Sequence, residues 1–183
     1  MFEKSVEELT ELGAQITTAE IAQQPELWRD TLNIYRENKE AIEAFLAEAR
    51  AMGEGRLSVV FTGAGTSDYV GDTCAPYLRH AGNTDLYDFK PIATTDIVSA
   101  PRDFLRAEDP TLVVSFARSG NSPESLAAVA VAKELVHNVK FLNITCAPEG
   151  KLAVESADDP NALTLLIPAA EQARVLQHQR HSG

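Results

Sequence analysis

Leu57-Ser58-Val59-Val60-Phe61-Thr62-Gly63-Ala64-Gly65-Thr66-Ser67-Asp68 is the stretch from which the fold of this chain is read. Leu57 to Thr62 is a short run, apolar on both faces rather than alternating, which is the pattern of a strand buried in a parallel sheet. Gly63 and Gly65 then let the backbone turn tightly, and Asp68 to Ala81 reads as a helix. The same texture recurs downstream. Thr111 to Phe116, Lys140 to Thr145 and Ala162 to Ile167 are further short apolar runs, and Leu86 to Ala93 is a weaker strand candidate. Pro123 to His137 and Glu149 to Ser156 are helix-like stretches between them. Strand and helix alternating over short connections predict an open α/β sheet.

Upstream, residues 1 to 52 hold 11 acidic and 5 basic side chains and read as helical. Thr17 with Glu20 has the form of a capping box opening a short helix, and Pro25 is a favoured residue for the first turn of a longer one. Trp28, Leu32, Tyr35, Ile42, Leu46 and Ala49 then share one stripe, expected to pack on the main domain or on a partner subunit. Gly53 and Gly55 end that helix. Downstream, Glu171 to Gly183 carry His178, His181 and three glutamines and continue no strand. The divisions expected are a helical extension at 1–55, a sheet domain at 56–170 and an atypical tail at 171–183.

The chain has 183 residues, 44% of them apolar and 23% charged, enough for a buried core and too apolar for a disordered chain. With 27 acidic against 16 basic side chains its net charge is -11, which disfavours a nucleic-acid partner. No apolar run approaches the roughly 20 residues that cross a bilayer, and no secretory signal stands at Met1-Phe2-Glu3-Lys4. No membrane partner and a cytoplasmic location are expected. Cys74 and Cys146 lack metal-type spacing and are expected to be reduced thiols.

Two turns carry candidate chemistry, since ligands of open α/β sheets bind at strand carboxyl ends beside helix N-termini. In the first, Thr66 and Ser67 supply hydroxyls and candidate N-cap oxygens next to the glycines. It is neither a dinucleotide fingerprint, which needs glycine where Asp68 stands, nor a P-loop. The second runs Ser115-Phe116-Ala117-Arg118-Ser119-Gly120-Asn121-Ser122-Pro123-Glu124-Ser125. Ser122 as N-cap and Pro123 at the first helical position put Ser119, Gly120 and Ser122 at a positive helix end beside Arg118. Hydroxyls, free amides and a guanidinium together suit a phosphate dianion. A capped helix with a solvent-facing arginine is the plainer alternative. The spacing does not fit G-x-S-x-G, so a serine hydrolase is not indicated.

Gly63-Ala64-Gly65-Thr66-Ser67 and Ser115 to Ser125 together resemble the sugar isomerase (SIS) domain. More narrowly they are similar to the first domain of the tagatose-6-phosphate ketose/aldose isomerase and galactosamine-6-phosphate deaminase group. Thr94-Thr95-Asp96-Ile97-Val98 and Asn143-Ile144-Thr145-Cys146 agree, and the likeness spans about Thr17 to Pro168. It implies a flavodoxin-like three-layer sandwich with a five-stranded parallel sheet that binds a phosphorylated sugar, with no cofactor, in a homo-oligomer (dimer or tetramer). Carried over by position, Ser119, Ser122 and the Gly120 amide would hold phosphate. Gly65, Thr66 and Ser67 would line the sugar or reach the phosphate from the other turn, and Arg118 would be a polar ligand contact.

The same resemblance implies a protein about twice this length, whose proton-transfer glutamate and assisting histidine belong to a second SIS domain that this chain does not show. Aldose–ketose isomerisation needs a base of near-neutral pKa and a group polarising the carbonyl. The candidates here are Asp68, Asp72, His80, Glu124 and His137. Asp68 and Glu124 stand in first helical turns, where the dipole is expected to keep a carboxyl pKa low, and His80 and His137 stand near helix C-termini. His178 and His181 are spaced i, i+3 but make no metal site by themselves. Two functions are therefore open: a phosphosugar isomerase or deaminase, and a non-catalytic phosphosugar binder or truncated remnant of a two-domain isomerase.

Overall fold

β1 (Leu57–Gly63) is buried along its whole length, as a strand without alternation must be when both faces are covered. It pairs with β2 (Tyr87–Pro91) on one side and β3 (Thr111–Ala117) on the other. β4 (Val139–Thr145) and β5 (Ala162–Leu166) complete a wholly parallel five-stranded sheet in the order β2-β1-β3-β4-β5. This computed structural model describes residues 2–169.

α3 (Lys39–Arg50) and α4 (Asp68–Ala81) cover the face bearing Leu57, Val59, Phe61, Leu112 and Val114, with Phe45, Ala49 and Ala75 as their contributions to that core. α5 (Thr94–Ser99), α6 (Pro101–Phe104) and α7 (Pro123–Leu135) close the other face over Val60, Val113 and Phe141. The result is the expected three-layer α/β sandwich. Fully buried side chains such as Leu57, Val60 and Phe141 contribute about 1.5–3 kcal/mol each. Lys140 on β4 fastens α3 to the sheet, its Nζ 2.9 Å from Glu48 Oε2 and 4.8 Å from the Phe45 ring centroid. α8 (Lys151–Ser156) links β4 to β5.

Strand positions agree with the sequence reading to within one residue, except that the weak candidate narrows to Tyr87–Pro91. α4 has the expected bounds. α7 stops at Leu135 rather than His137, and α8 begins at Lys151, after Gly150, rather than at Glu149. The short α5 and α6 carry too few residues to show a period of 3.6 and were not expected as helices.

Lys39–Leu166 forms one compact unit, and the residues up to Asn38 belong to a second. In the latter, several local expectations are corrected. The capping box is not Thr17 with Glu20 but Ser5 with Glu8, opening α1 (Val6–Glu11), with Ser5 N donating to Glu8 Oε2 at 2.8 Å and Glu8 N to Ser5 Oγ at 3.2 Å. Thr17 lies inside α2 (Gln15–Glu37), where helical backbone geometry prevents it from acting as an N-cap. Pro25 is also internal to α2 and removes one of its i to i−4 bonds. The stripe from Trp28 to Ala49 is not one helix. α2 ends at Asn38, whose backbone N and side-chain Nδ2 both donate to the Ile34 carbonyl. Ile42 and Ala49 are buried with Phe45, whereas Trp28, Leu32 and Tyr35 are 65%, 46% and 45% exposed. The tail candidates His178 and His181 lie outside the described residues.

Candidate functional site

β1 and β3 are neighbours, and Gly63 stands in register with Phe116, so the turns that follow them lie side by side at the carboxyl edge of the sheet. The chain leaves β1 for one side of the sheet and β3 for the other, which makes this the switch point where ligands of open α/β sheets bind.

The first turn is shaped by its glycines. A Cβ on Gly63 would come within 2.7 Å of the Asp68 N and of the Ser67 O, and Gly65 has a φ of +58° that L side chains rarely adopt. Gly65–Ser67 forms one 3₁₀ turn leading into α4. The hydroxyls of Thr66 and Ser67 cap nothing, contrary to the N-cap role expected of them, because the 3₁₀ turn already occupies the helix entrance. Both remain accessible at least in part. Behind the turn, the buried Thr94 hydroxyl donates to the Gly63 carbonyl at 3.1 Å and ties the start of α5 to the end of β1.

In the second turn, Gly120 has a φ of +63°, and the Asn121 N donates to Ser119 Oγ at 3.3 Å. Ser122 stands at the N-cap position of α7 with Pro123 next, as read from sequence. Its hydroxyl does not cap the helix; it is paired with Ser125 Oγ at 2.7 Å, leaving the helix end without a side-chain cap. The Arg118 guanidinium has no carboxylate within ion-pairing distance among the described residues.

This turn is strapped from the next loop. Leu152 N donates to the Gly120 carbonyl at 2.9 Å, Lys151 N to Asn121 Oδ1 at 3.0 Å and Cys146 N to the Arg118 carbonyl at 3.3 Å. Gly150 is needed because a Cβ there would collide with the Ser119 carbonyl. Thr94, Asn121, Gly150 and Lys151 were not singled out as site residues. Their contacts join segments 30 or 31 residues apart, Lys151 to Asn121 and Thr94 to Gly63, which no local pattern encodes.

Asp68 departs from expectation. Burial first, then the charges of Asp72 and Asp96, push its carboxyl above the usual range, outweighing the helix dipole. Its Oδ1 is enclosed without a hydrogen-bond partner. Burial likewise raises the Cys146 thiol against the opposing charge of Arg118, which disfavours the nucleophilic thiolate. Glu124 occupies the first turn of α7. His80 lies in the last turn of α4, about 18 Å along the axis from Asp68. His137 precedes β4 and approaches Glu108 Oε1 at 3.5 Å. Both histidines therefore stand at the sheet edge opposite the two turns. Among the described residues no cluster of His, Cys, Asp or Glu is arranged to hold a metal ion, and no helix is long and apolar enough to cross a membrane. A cavity of about 460 Å³ lies on the α3/α4 face, lined by Leu46, Cys74, Phe116 and Ile144 among others, and its apolar walls suit no phosphate.

The chain is 42% identical over 164 residues to a D-galactosamine-6-phosphate deaminase of Shewanella sp., covering 90% of this chain and 42% of that protein. The structure of tagatose-6-phosphate ketose/aldose isomerase from Escherichia coli superposes with a TM-score of 0.74 at 39% identity, over 84% of this chain and 40% of that one. A Clostridium novyi protein provisionally named a tagatose-6-phosphate ketose/aldose isomerase superposes with a TM-score of 0.82 at 42% identity, over 92% of this chain and 42% of its own. The chain has the sugar isomerase (SIS) type of fold and is similar to part of these longer proteins. No family model matches it. The SIS chain spans about 42% of the length of the Shewanella relative.

Proposed function

We propose that this SIS protein binds the phosphate and sugar of a galactosamine-6-phosphate or tagatose-6-phosphate type substrate and serves its deamination or ketose–aldose isomerisation. The pairing of the two glycine turns at the switch point carries this function. Ser119 and Ser122 offer hydroxyls at the uncapped N-terminus of the 13-residue α7, and Gly120 offers its amide. Gly65, Thr66 and Ser67 face the same edge from β1 and suit sugar hydroxyls. Arg118, free of carboxylates among the described residues, supplies positive charge. Support comes also from the relatives, whose names specify a galactosamine 6-phosphate and a tagatose 6-phosphate. Such a protein is expected in the cytoplasm, where sugar phosphates are held, and as a homo-oligomer.

Isomerisation moves a proton between C1 and C2 through an enediol, and the carbonyl oxygen is protonated as that enediol forms. Beside the two turns, burial and then the charges of Asp72 and Asp96 raise the Asp68 carboxyl above its usual range, the direction that favours its acid form. Binding without turnover is the second reading, favoured by the histidines lying at the edge opposite the two turns.

Calorimetric titration of the full chain with galactosamine 6-phosphate, tagatose 6-phosphate and unphosphorylated galactosamine tests the site. Saturable binding of the phosphorylated sugars is expected, weakened about tenfold or more in the Ser119→Ala, Ser122→Ala double variant, since each hydroxyl makes a charge-assisted bond. Equal affinity for unphosphorylated galactosamine would refute it. Ammonia release, against ketose formation, then separates deaminase from isomerase, and the absence of both products leaves the binding function.

A further inference from the structure

We propose that Lys151 is a second cation of the phosphosugar site and sets its preference for a dianionic phosphate over a monoanionic ester. This rests on the phosphosugar function above. Lys151 is brought to the second turn by tertiary bonds: its own amide donates to Asn121 Oδ1 at 3.0 Å, and the next amide, of Leu152, donates to the Gly120 carbonyl at 2.9 Å. A Cβ on the preceding Gly150 would collide with the Ser119 carbonyl oxygen and stand 3.2 Å from the Gly120 Cα, so the two backbones approach closely. The lysine stem therefore springs from backbone bonded directly to the loop of Ser119 and Gly120, and the residue is exposed there.

Among the described residues its charge has no carboxylate counterpart. The other lysines, at positions 4, 39, 90, 133 and 140, each have a carboxylate oxygen within 4.0 Å. Lys151 has none among the described residues, although Glu149 and Glu155 lie two and four positions away, and α8 has no acid in its first turn. In a chain of net charge -11, a lysine and an arginine that both lack a carboxylate partner among the described residues, on segments hydrogen-bonded to each other, make a local positive focus. A phosphate monoester loses its second proton near pH 6 and is a dianion above it. Lys151 and Arg118 match that second charge, whereas a sulfate ester carries one charge at every relevant pH.

Calorimetry at pH 7.5 with galactose 6-phosphate and galactose 6-sulfate, on the full chain, tests this. Lys151→Gln should weaken galactose 6-phosphate about tenfold, as expected for one charge-assisted contact, and sulfate far less. Lys151→Arg should restore most of the phosphate affinity. Lys39→Gln, which removes the same charge from α3, should change both ligands less than about twofold, as expected of a screened distant charge. The unliganded melting temperature of Lys151→Gln should match the parent, as for any exposed lysine. Unchanged phosphate affinity in Lys151→Gln, or equal losses for both esters, would overturn the assignment while leaving the binding site standing. If the parent chain binds neither ester, the proposed function falls first and the lysine role with it.

Discussion

Asp68 and Asp159 are two carboxyls that the fold moves in opposite directions. Asp68 is raised by burial and by Asp72 and Asp96. Its proton is held more tightly in the folded chain than in the unfolded one, so it contributes stability below the unfolded value of 3.8, lost as pH rises through the folded value. Asp159 is lowered, first by its hydrogen bond to Lys133 and then by the backbone amide of Asn161. Its contribution is present above 3.8 and lost as pH falls through the lowered value. Asp68→Asn should therefore melt above the parent at pH 7, with the gap closing towards pH 4. Asp159→Asn should melt below it at pH 7, with the gap closing on acidification. Thermal melts across pH 3.5–8 check both, and an Asp68→Asn variant less stable at pH 7 would contradict the sign. The position of Asp68 at a helix start was legible in the sequence; the sign of its shift was not, because burial, its largest cause, and the approach of Asp96 from another helix both arise only in the folded chain.

At the scale of elements, one register row carries much of the meaning. Thr62, Ser115, Asn143 and Thr164 stand side by side on four strands, the next row on the same face after the apolar row of Val60, Val113, Phe141 and Ala162. Each has an enclosed oxygen without a hydrogen-bond partner, though Asn143 Nδ2 donates to Ser156 Oγ at 2.9 Å. An enclosed unpaired hydroxyl costs about 1–3 kcal/mol. Thr62→Val keeps the shape and removes the hydroxyl, so it should stabilise the chain by about 1 kcal/mol and raise the melting temperature by about 2–4 °C. Asn143→Ala should destabilise by about 1–3 kcal/mol, because it opens space and strands Ser156. Denaturant unfolding of the two variants distinguishes them, and a destabilised Thr62→Val would mean that its hydroxyl is satisfied after all. The strands were legible because burial on both faces leaves a continuous apolar run, and the start of α7 because Ser122-Pro123 is a local signal. The straps from Gly150, Lys151 and Leu152 to the second turn were not, because they join segments about 30 residues apart. In the N-terminal unit the local signals misled: Thr17 and Glu20 fit a capping box, yet an already formed helix overrode it.

For the whole molecule, both apolar cores draw only on residues between Phe45 and Leu165, inside the compact unit Lys39–Leu166. A fragment of residues 39–169 should accordingly unfold cooperatively and keep the thermal shift with galactosamine 6-phosphate. Loss of a cooperative transition on deleting residues 1–38 would show that the extension belongs to the folding unit. The charge of -11 is compatible with the proposed anionic ligand, for which the uncapped start of α7, Arg118 and Lys151 would supply a local field of the opposite sign. Sequence by itself determined the alternation of strand and helix, the parallel sheet and the two glycine turns, since period, propensity and turn chemistry are local properties. Tertiary structure alone decided that the two turns lie side by side and that Lys151 and Thr94 buttress them. It also removed both histidines to the far edge. Strand order and loop-to-loop hydrogen bonds set those distances, and they exist only once residues remote in the chain have been brought together.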